Sequence, residues 1–208
     1  MGMQLYHHPF SANSRRALMT ALHLGLAVEV LPLDFTKGEH VQPDYLRLNP
    51  NHRVPVLIDG DYVLWESYAI MQYLADREEG RDLYPLEPRA RCDINRWLFW
   101  CSQHFQPAVS ILNVEHAVKP MMGWGPADPA QVALGEKLFA EFAAVLDAHL
   151  AGREWICGQA LSLADLAIAA ALGLAGSACL PLAPYKEIAR WLARIEQLDA
   201  WRQTVVAA

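Results

Sequence analysis

The sequence predicts a chain of two parts. The first is an α/β domain with the element order β-α-β-α-β-β-α, and the second is an all-α domain. Three observations predict this. Short apolar runs and turn residues alternate through the N-terminal part. A polar, proline-punctuated connection follows, Tyr84-Pro85-Leu86-Glu87-Pro88. Beyond it, apolar residues recur only at the three-to-four spacing of helices. The domains are therefore taken as residues 1–82 and 88–208, with the connection running from Arg81 to Pro88.

Gln4-Leu5-Tyr6-His7 reads as a short strand ending before Pro9. Ser11 to Arg16 opens a helix whose apolar face is Ala17, Leu18, Ala21, Leu22 and Leu24, closed by Gly25. Ala27 to Leu33 reads as a second strand, and a β-α-β order implies a parallel pair with a right-handed crossover. Lys37 to His40 is a polar loop, and Pro43 to Leu48 a short helix. Val56-Leu57-Ile58 is a buried strand. Proline cannot donate to a sheet ladder, so Pro55 stands at its start, where a cis Val54–Pro55 bond is cheap. Asp59-Gly60 is a hairpin turn, and Tyr62-Val63-Leu64 returns. A helix from Glu66 to Arg77 buries Ala69, Ile70, Tyr73 and Leu74.

In the second part, Arg89 to Val118 is helical, with a kink expected at Pro107. Met121 to Pro126 breaks the pattern. Asp128 caps a helix that has Pro129 at its first position and runs to Leu150. Ser162 and Asp165 form a capping box ahead of an apolar helix, Ile168 to Leu174, expected at the domain's core. Pro184–Ile195 and Leu198–Val205 read as the terminal helices.

Composition narrows the function. The chain has 208 residues, is 53% hydrophobic and carries a formal charge of -6, which argues against nucleic acid as its main partner. It contains no run of about 18 apolar residues, so no membrane partner is expected. Its N-terminus lacks the basic and apolar regions of a signal peptide. The four cysteines include no CxxC and no zinc spacing, and are expected as reduced, mostly buried thiols of a cytoplasmic protein. The eight histidines contain no HExxH, so no metal site is expected. There is neither a glycine-rich phosphate loop nor a G-x-S-x-G elbow.

The order N-P-N-H-R-V-P-V-L, then D-G, then E-S-x-A-I, resembles the glutathione-binding half of the cytosolic glutathione S-transferases. A second match, to their G-x-x-x-S-x-A-D element, spans Gly158 to Asp165 and is structural in that family. The resemblance covers nearly the whole chain and implies a thioredoxin-like first domain. In the family, the residue before a cis-proline pairs through its backbone with the cysteinyl unit of glutathione, a role that falls on Val54. An acidic residue and a serine at the next helix start receive the γ-glutamyl end, a role that falls on Glu66 and Ser67. Chemistry agrees, because free N–H groups and a hydroxyl at a helix start suit a carboxylate.

Such an enzyme must hold its co-substrate as a thiolate. Two groups near the first strand can donate to sulfur, Tyr6 and Ser11. The segment H-P-F-S-A-N-S-R is similar to the serine-type segment of theta- and delta-like bacterial members, which implies Ser11. Taken alone, Ser11 also reads as a plain N-cap. Asn13 is a second candidate donor, because some bacterial relatives with a T-P-N segment approach the sulfur with an asparagine and favour disulfide exchange or peroxide reduction. His40 and His52 are candidates for the glycine carboxylate, with Arg53 a third because guanidinium pairs well with carboxylate. Phe10, Trp100, His104 and Phe105 are candidates for the wall of an acceptor pocket between the domains.

The reading is therefore a homodimeric, cytoplasmic glutathione transferase of the detoxifying kind, acting on a small hydrophobic electrophile. Two alternatives stand beside it: a glutathione-dependent peroxidase or disulfide reductase, and a non-enzymatic binding protein that reuses the fold.

Overall fold

A computed structural model of the chain describes residues 2–77 and 82–205. The chain divides into two compact units, residues 1–85 with 198–208, and residues 86–197.

The first unit is built on strands β1 (Met3–His7), β2 (Val28–Pro32), β3 (Val56–Asp59) and β4 (Tyr62–Trp65). Their order in the sheet is β2-β1-β3-β4. β1 and β2 are parallel, as a β-α-β crossover requires, and the other two pairings are antiparallel. Helices α1 (Ala12–His23), α2 (Pro43–Leu48) and α3 (Ser67–Arg77) complete the thioredoxin-like arrangement.

Alternation along β1 sorts its side chains between two cores. Met3 and Leu5 join Ala17, Ala21, Leu57, Ile70 and Leu74. Tyr6 packs on the other face, against a cluster of Leu33, Tyr45, Val54 and Val56. α1 ends in a Schellman motif: Gly25 is left-handed (φ 68), and the amides of Leu26 and Gly25 donate to Ala21 and Leu22. At the hairpin, Tyr73 of α3 donates to Asp59 Oδ2 at 2.7 Å, and Arg77 pairs with the same carboxylate.

The second unit holds α4 (Pro88–Trp100), α5 (Gln106–Asn113), α6 (Lys119–Met122), α7 (Pro129–Leu150), α8 (Leu163–Ala171) and α9 (Lys186–Ile195). The single helix expected from Arg89 to Val118 is interrupted by wide π-turns at Cys101–Phe105 and Val114–Val118. Each ends two residues before a proline, Pro107 or Pro120. A helical proline has no N–H and clashes with the carbonyl four residues back, which here is Gln103 or His116. Both carbonyls lie within a wide turn, which absorbs the misfit.

Asp165 organises the core of this unit. It is fully buried and accepts from the Ile156 amide (2.9 Å), the Trp191 indole (3.0 Å), the Ser162 amide (2.9 Å) and the Ser162 hydroxyl (2.8 Å). Every residue of α8 is buried. Asp147 of α7 caps α9 from a distance, accepting from the amides of Glu187 and Ile188 at 2.8 and 2.9 Å.

Two further sequence expectations change. The C-terminal residues from Leu198, expected with the helical domain, group with the first unit. Their short helix α10 (Asp199–Arg202) is held by Arg15 of α1, which is buried. The Arg15 guanidinium lies 3.8 Å over the Trp201 ring and donates to Thr204 Oγ1 at 3.1 Å. The thiols also divide evenly rather than being mostly buried: Cys101 and Cys157 are buried, while Cys92 and Cys179 are exposed. Burial, with Asp93 and Asp165 nearby, pushes the Cys157 thiol up. Arg81, where the connection was expected to begin, lies outside the described residues, and 82–87 contain no helix or strand.

Candidate active site

Ser11 occupies the junction of β1 and α1 in extended backbone (φ -98, ψ 113), where it caps the helix. Its Oγ accepts from the Ser14 amide at 3.2 Å. A hydroxyl has one hydrogen as well as its acceptor positions, so capping leaves the Ser11 O–H able to donate elsewhere. The capping and chemical readings of Ser11 are therefore compatible. The first amides of α1 and the positive end of its dipole lie beside that hydroxyl, a setting that favours an anion.

Asn13 lies in the first turn of α1, and its Oδ1 accepts from Arg16 Nη1 at 3.1 Å. The same nitrogen reaches Ser67 Oγ at 3.3 Å. Ser67, 4% exposed, is the first residue of α3. Glu66 before it is exposed and left-handed (φ 74), which is unusual for a glutamate.

The Val54–Pro55 bond is cis, as expected. Among the described residues, no hydrogen bond reaches the amide or carbonyl of Val54. The segment before it is held by Asn49, only 2% exposed. Asn49 donates to Arg53 O at 2.8 Å and accepts from the Asn51 amide at 3.0 Å. The Tyr45 hydroxyl also donates to Arg53 O, at 2.6 Å, and burial pushes that phenol's pKa upward, so it stays a donor. Arg53 and His52 are exposed, and His52 is left-handed (φ 54).

His40 sits in a single 3-10 turn, Glu39–Val41. Its ring is 4.6 Å from Phe35, whose other neighbour is His8, stacked at 4.7 Å. His40 Nδ1 is buried without a hydrogen-bond partner among the described residues. Burial lowers the pKa of His8, opposed by Asp34. Phe10 is 42% exposed.

Tyr6, the other candidate donor, packs edge-on against Tyr45 at 5.3 Å within the second apolar cluster. Ser11, Asn13, His40, His52, Arg53, Val54, Glu66 and Ser67 all belong to the first unit. Trp100, His104 and Phe105 belong to the second. There Trp100 stacks on Phe105 at 5.4 Å, and His104 lies 5.3 Å from Phe142. Phe105 has no exposed surface, so it supports Trp100 from behind rather than forming a wall itself.

Two residues escaped the sequence reading. Phe35 falls in irregular backbone and carries no periodic signal. Arg16 did carry one, because Asn13 and Arg16 are three apart on a helix and so share a face. No group of three or more His, Cys, Asp or Glu side chains that could hold a metal ion occurs among the described residues. No helix among them is long and apolar enough to cross a membrane.

The profile described as "Glutathione S-transferase, N-terminal domain" matches residues 1–76, and "Glutathione S-transferase, C-terminal domain" matches residues 114–199. The chain is 34% identical to glutathione S-transferase F10 of Arabidopsis thaliana, over 94% of this chain and 93% of that one. It is 35% identical to glutathione S-transferase 3 of Zea mays, over 99% and 94%. A solved theta-class glutathione S-transferase from Xanthomonas axonopodis pv. citri, with glutathione bound, superposes with a TM-score of 0.88 at 28% identity, over 100% and 99%. The two sequence relatives are plant proteins, one of them F-type, and not the theta- or delta-like bacterial class suggested by the segment around Ser11. A segment that short is shaped by cap and turn chemistry, which different classes can share.

Proposed function

The chain belongs to the glutathione S-transferase family, and from that premise we propose that Ser11 is the residue that holds the sulfur as a thiolate. The transferase activity and the use of glutathione as co-substrate come with the family. The assignment of residues to roles is our reading of this chain.

The observation that carries it is the Ser11–Ser14 hydrogen bond. The oxygen is fixed as an acceptor toward the helix, and its hydrogen is left for the sulfur. An ordinary thiol ionises near ~8.5, so lowering it by ~2 units needs about 2.7 kcal/mol of preference for the anion. One hydroxyl donor together with a helix N-terminus is of that order.

The other site residues fit the peptide by their chemistry. The unpaired Val54 backbone offers a donor and an acceptor to the cysteinyl unit. Ser67 at the start of α3 suits the γ-glutamyl carboxylate, and the exposed Glu66 suits its ammonium. His40, with an unpartnered buried nitrogen, takes the glycine end, assisted by His52 and Arg53. Asn13 is a second donor to the sulfur. Within the first unit Phe10, and within the second Trp100 with His104, are each candidates for contact with a small electrophile. We place the protein in the cytoplasm as a homodimer, for which Phe99 of α4, 66% exposed, offers apolar surface. Rates with an aryl halide and with an organic peroxide, compared in wild type and Ser11→Ala, test the reading. Serine-dependent conjugation supports it, and peroxide turnover that depends on Asn13 alone favours the reductase alternative.

A further inference from the structure

Arg16 has no exposed surface, although it is charged. Burying a guanidinium is costly unless its charge and donors are met. Its Nη1 finds hydrogen-bond partners among the residues of the candidate site. Nη1 donates to Asn13 Oδ1 at 3.1 Å and to Ser67 Oγ at 3.3 Å. The guanidinium carbon lies 4.2 Å from the centroid of the Tyr68 ring. One nitrogen thus joins the first turn of α1 to the first residue of α3.

Arginine has donors only. The Asn13 atom that meets it is therefore the carbonyl oxygen, and the amide NH2 is turned to the opposite side. The Ser67 oxygen likewise receives a hydrogen from Arg16, so its own hydrogen is directed elsewhere. Without the arginine, Asn13 could rotate and offer its carbonyl to an anion, and the Ser67 hydrogen could turn inward.

We propose that Arg16 is a positioning residue that orients two donors at once, Asn13 toward the sulfur and Ser67 toward the γ-glutamyl carboxylate of glutathione. This rests on the assignment of those ends of the peptide given above. Arg16 touches neither end, and it acts through both side chains. A lysine would keep the charge and lose the planar fork that directs Nη1 at both oxygens.

The test uses Arg16→Lys and Arg16→Met, with folding checked by circular dichroism and thermal melting. Two quantities are read: KM for glutathione, and the pH midpoint of the bound thiol followed by its thiolate absorbance. Asn13→Asp is the reference, because a carboxylate still pairs with Arg16 but has no NH2 to give the sulfur. It is expected to raise the midpoint and leave KM near wild type. Folded Arg16→Lys is expected to move both, with KM up about tenfold and the midpoint up about one unit. Arg16→Met moves them at least as far. If Arg16→Lys keeps the wild-type KM and midpoint, the proposal is overturned, and that result decides the matter even where Arg16→Met does not fold. A wild-type protein that fails to lower the midpoint of bound glutathione overturns the underlying site assignment instead, so the two failures are separable.

Discussion

The hydroxyl oxygen of Ser11 accepts the amide hydrogen of Ser14 at 3.2 Å, so the side chain that we propose as the thiolate's donor also caps α1. The two duties separate by substitution. Ser11→Ala loses the cap and should cost about 1 kcal/mol of stability. Ser11→Asp keeps a good cap and should stay within about 0.5 kcal/mol of wild type. It also sets a negative charge where the thiolate belongs, so conjugation should be as poor as in Ser11→Ala. Thermal melts beside rate measurements check both outcomes.

Asp165 should be the most sensitive single residue of the helical unit. Asp165→Ala leaves the Ile156 amide, the Ser162 amide and the Trp191 indole without their acceptor. At about 1–3 kcal/mol for each orphaned buried donor, the loss should reach roughly 3 kcal/mol or more. Urea unfolding followed by tryptophan fluorescence measures it. An Asp165→Ala protein as stable as wild type would show that these bonds do not hold the unit.

Gly135 of α7 reverses a general rule. Glycine to alanine inside a helix ordinarily gains about 1 kcal/mol. Here a Cβ would lie 2.9 Å from Leu112 Cδ2 and Cγ and 3.0 Å from Ile111 Cγ2. Leu112 is only 1% exposed and has little room to yield. Gly135→Ala should therefore destabilise by about 1–3 kcal/mol, read as a lowered denaturation midpoint. A raised midpoint would mean that α5 and α7 separate easily.

Stability should decline below neutral pH through His7. Burial, then the neighbouring His8, lowers its pKa to about 4 in the folded chain, against about 6.5 unfolded. Between those values the unfolded chain binds more protons. The contribution is therefore complete above about 6.5 and is lost as pH falls toward 4. Because His7 is only partly buried, the slope should stay below the ~1.4 kcal/mol per pH unit of one full proton. His8 and His23, whose pKa values burial also lowers, add to the same decline. His7→Gln should flatten the profile, and an unchanged profile would remove His7 as a cause.

What was legible in the sequence was local. Val54-Pro55 announces its own conformation, because proline restricts its neighbours and cannot join a ladder. Ser162 and Asp165 are three apart, so the box closes within one turn. Ser11, Glu66 and Ser67 stand at helix starts for the same kind of reason. What was not legible depends on distant partners. Nothing around Arg15 announces Trp201, yet that pair assigns the C-terminal helix to the first unit. Arg16 could be paired with Asn13 by spacing, but its reach to Ser67 exists only once the sheet has brought α1 and α3 together. Pro107 was expected to disturb its helix, whereas the wide turn before Pro120 was not foreseen. The four thiols look alike in sequence, and packing alone decides which two are exposed.

The central claim is that the Ser11 hydroxyl stabilises the thiolate of bound glutathione. The most direct test is a pH titration of thiolate absorbance for glutathione bound to wild type and to Ser11→Ala. The account predicts a midpoint near ~6.5 in wild type, and a return to near ~8.5 in the variant while glutathione still binds. A Ser11→Ala protein whose bound glutathione ionises at the wild-type midpoint would contradict it.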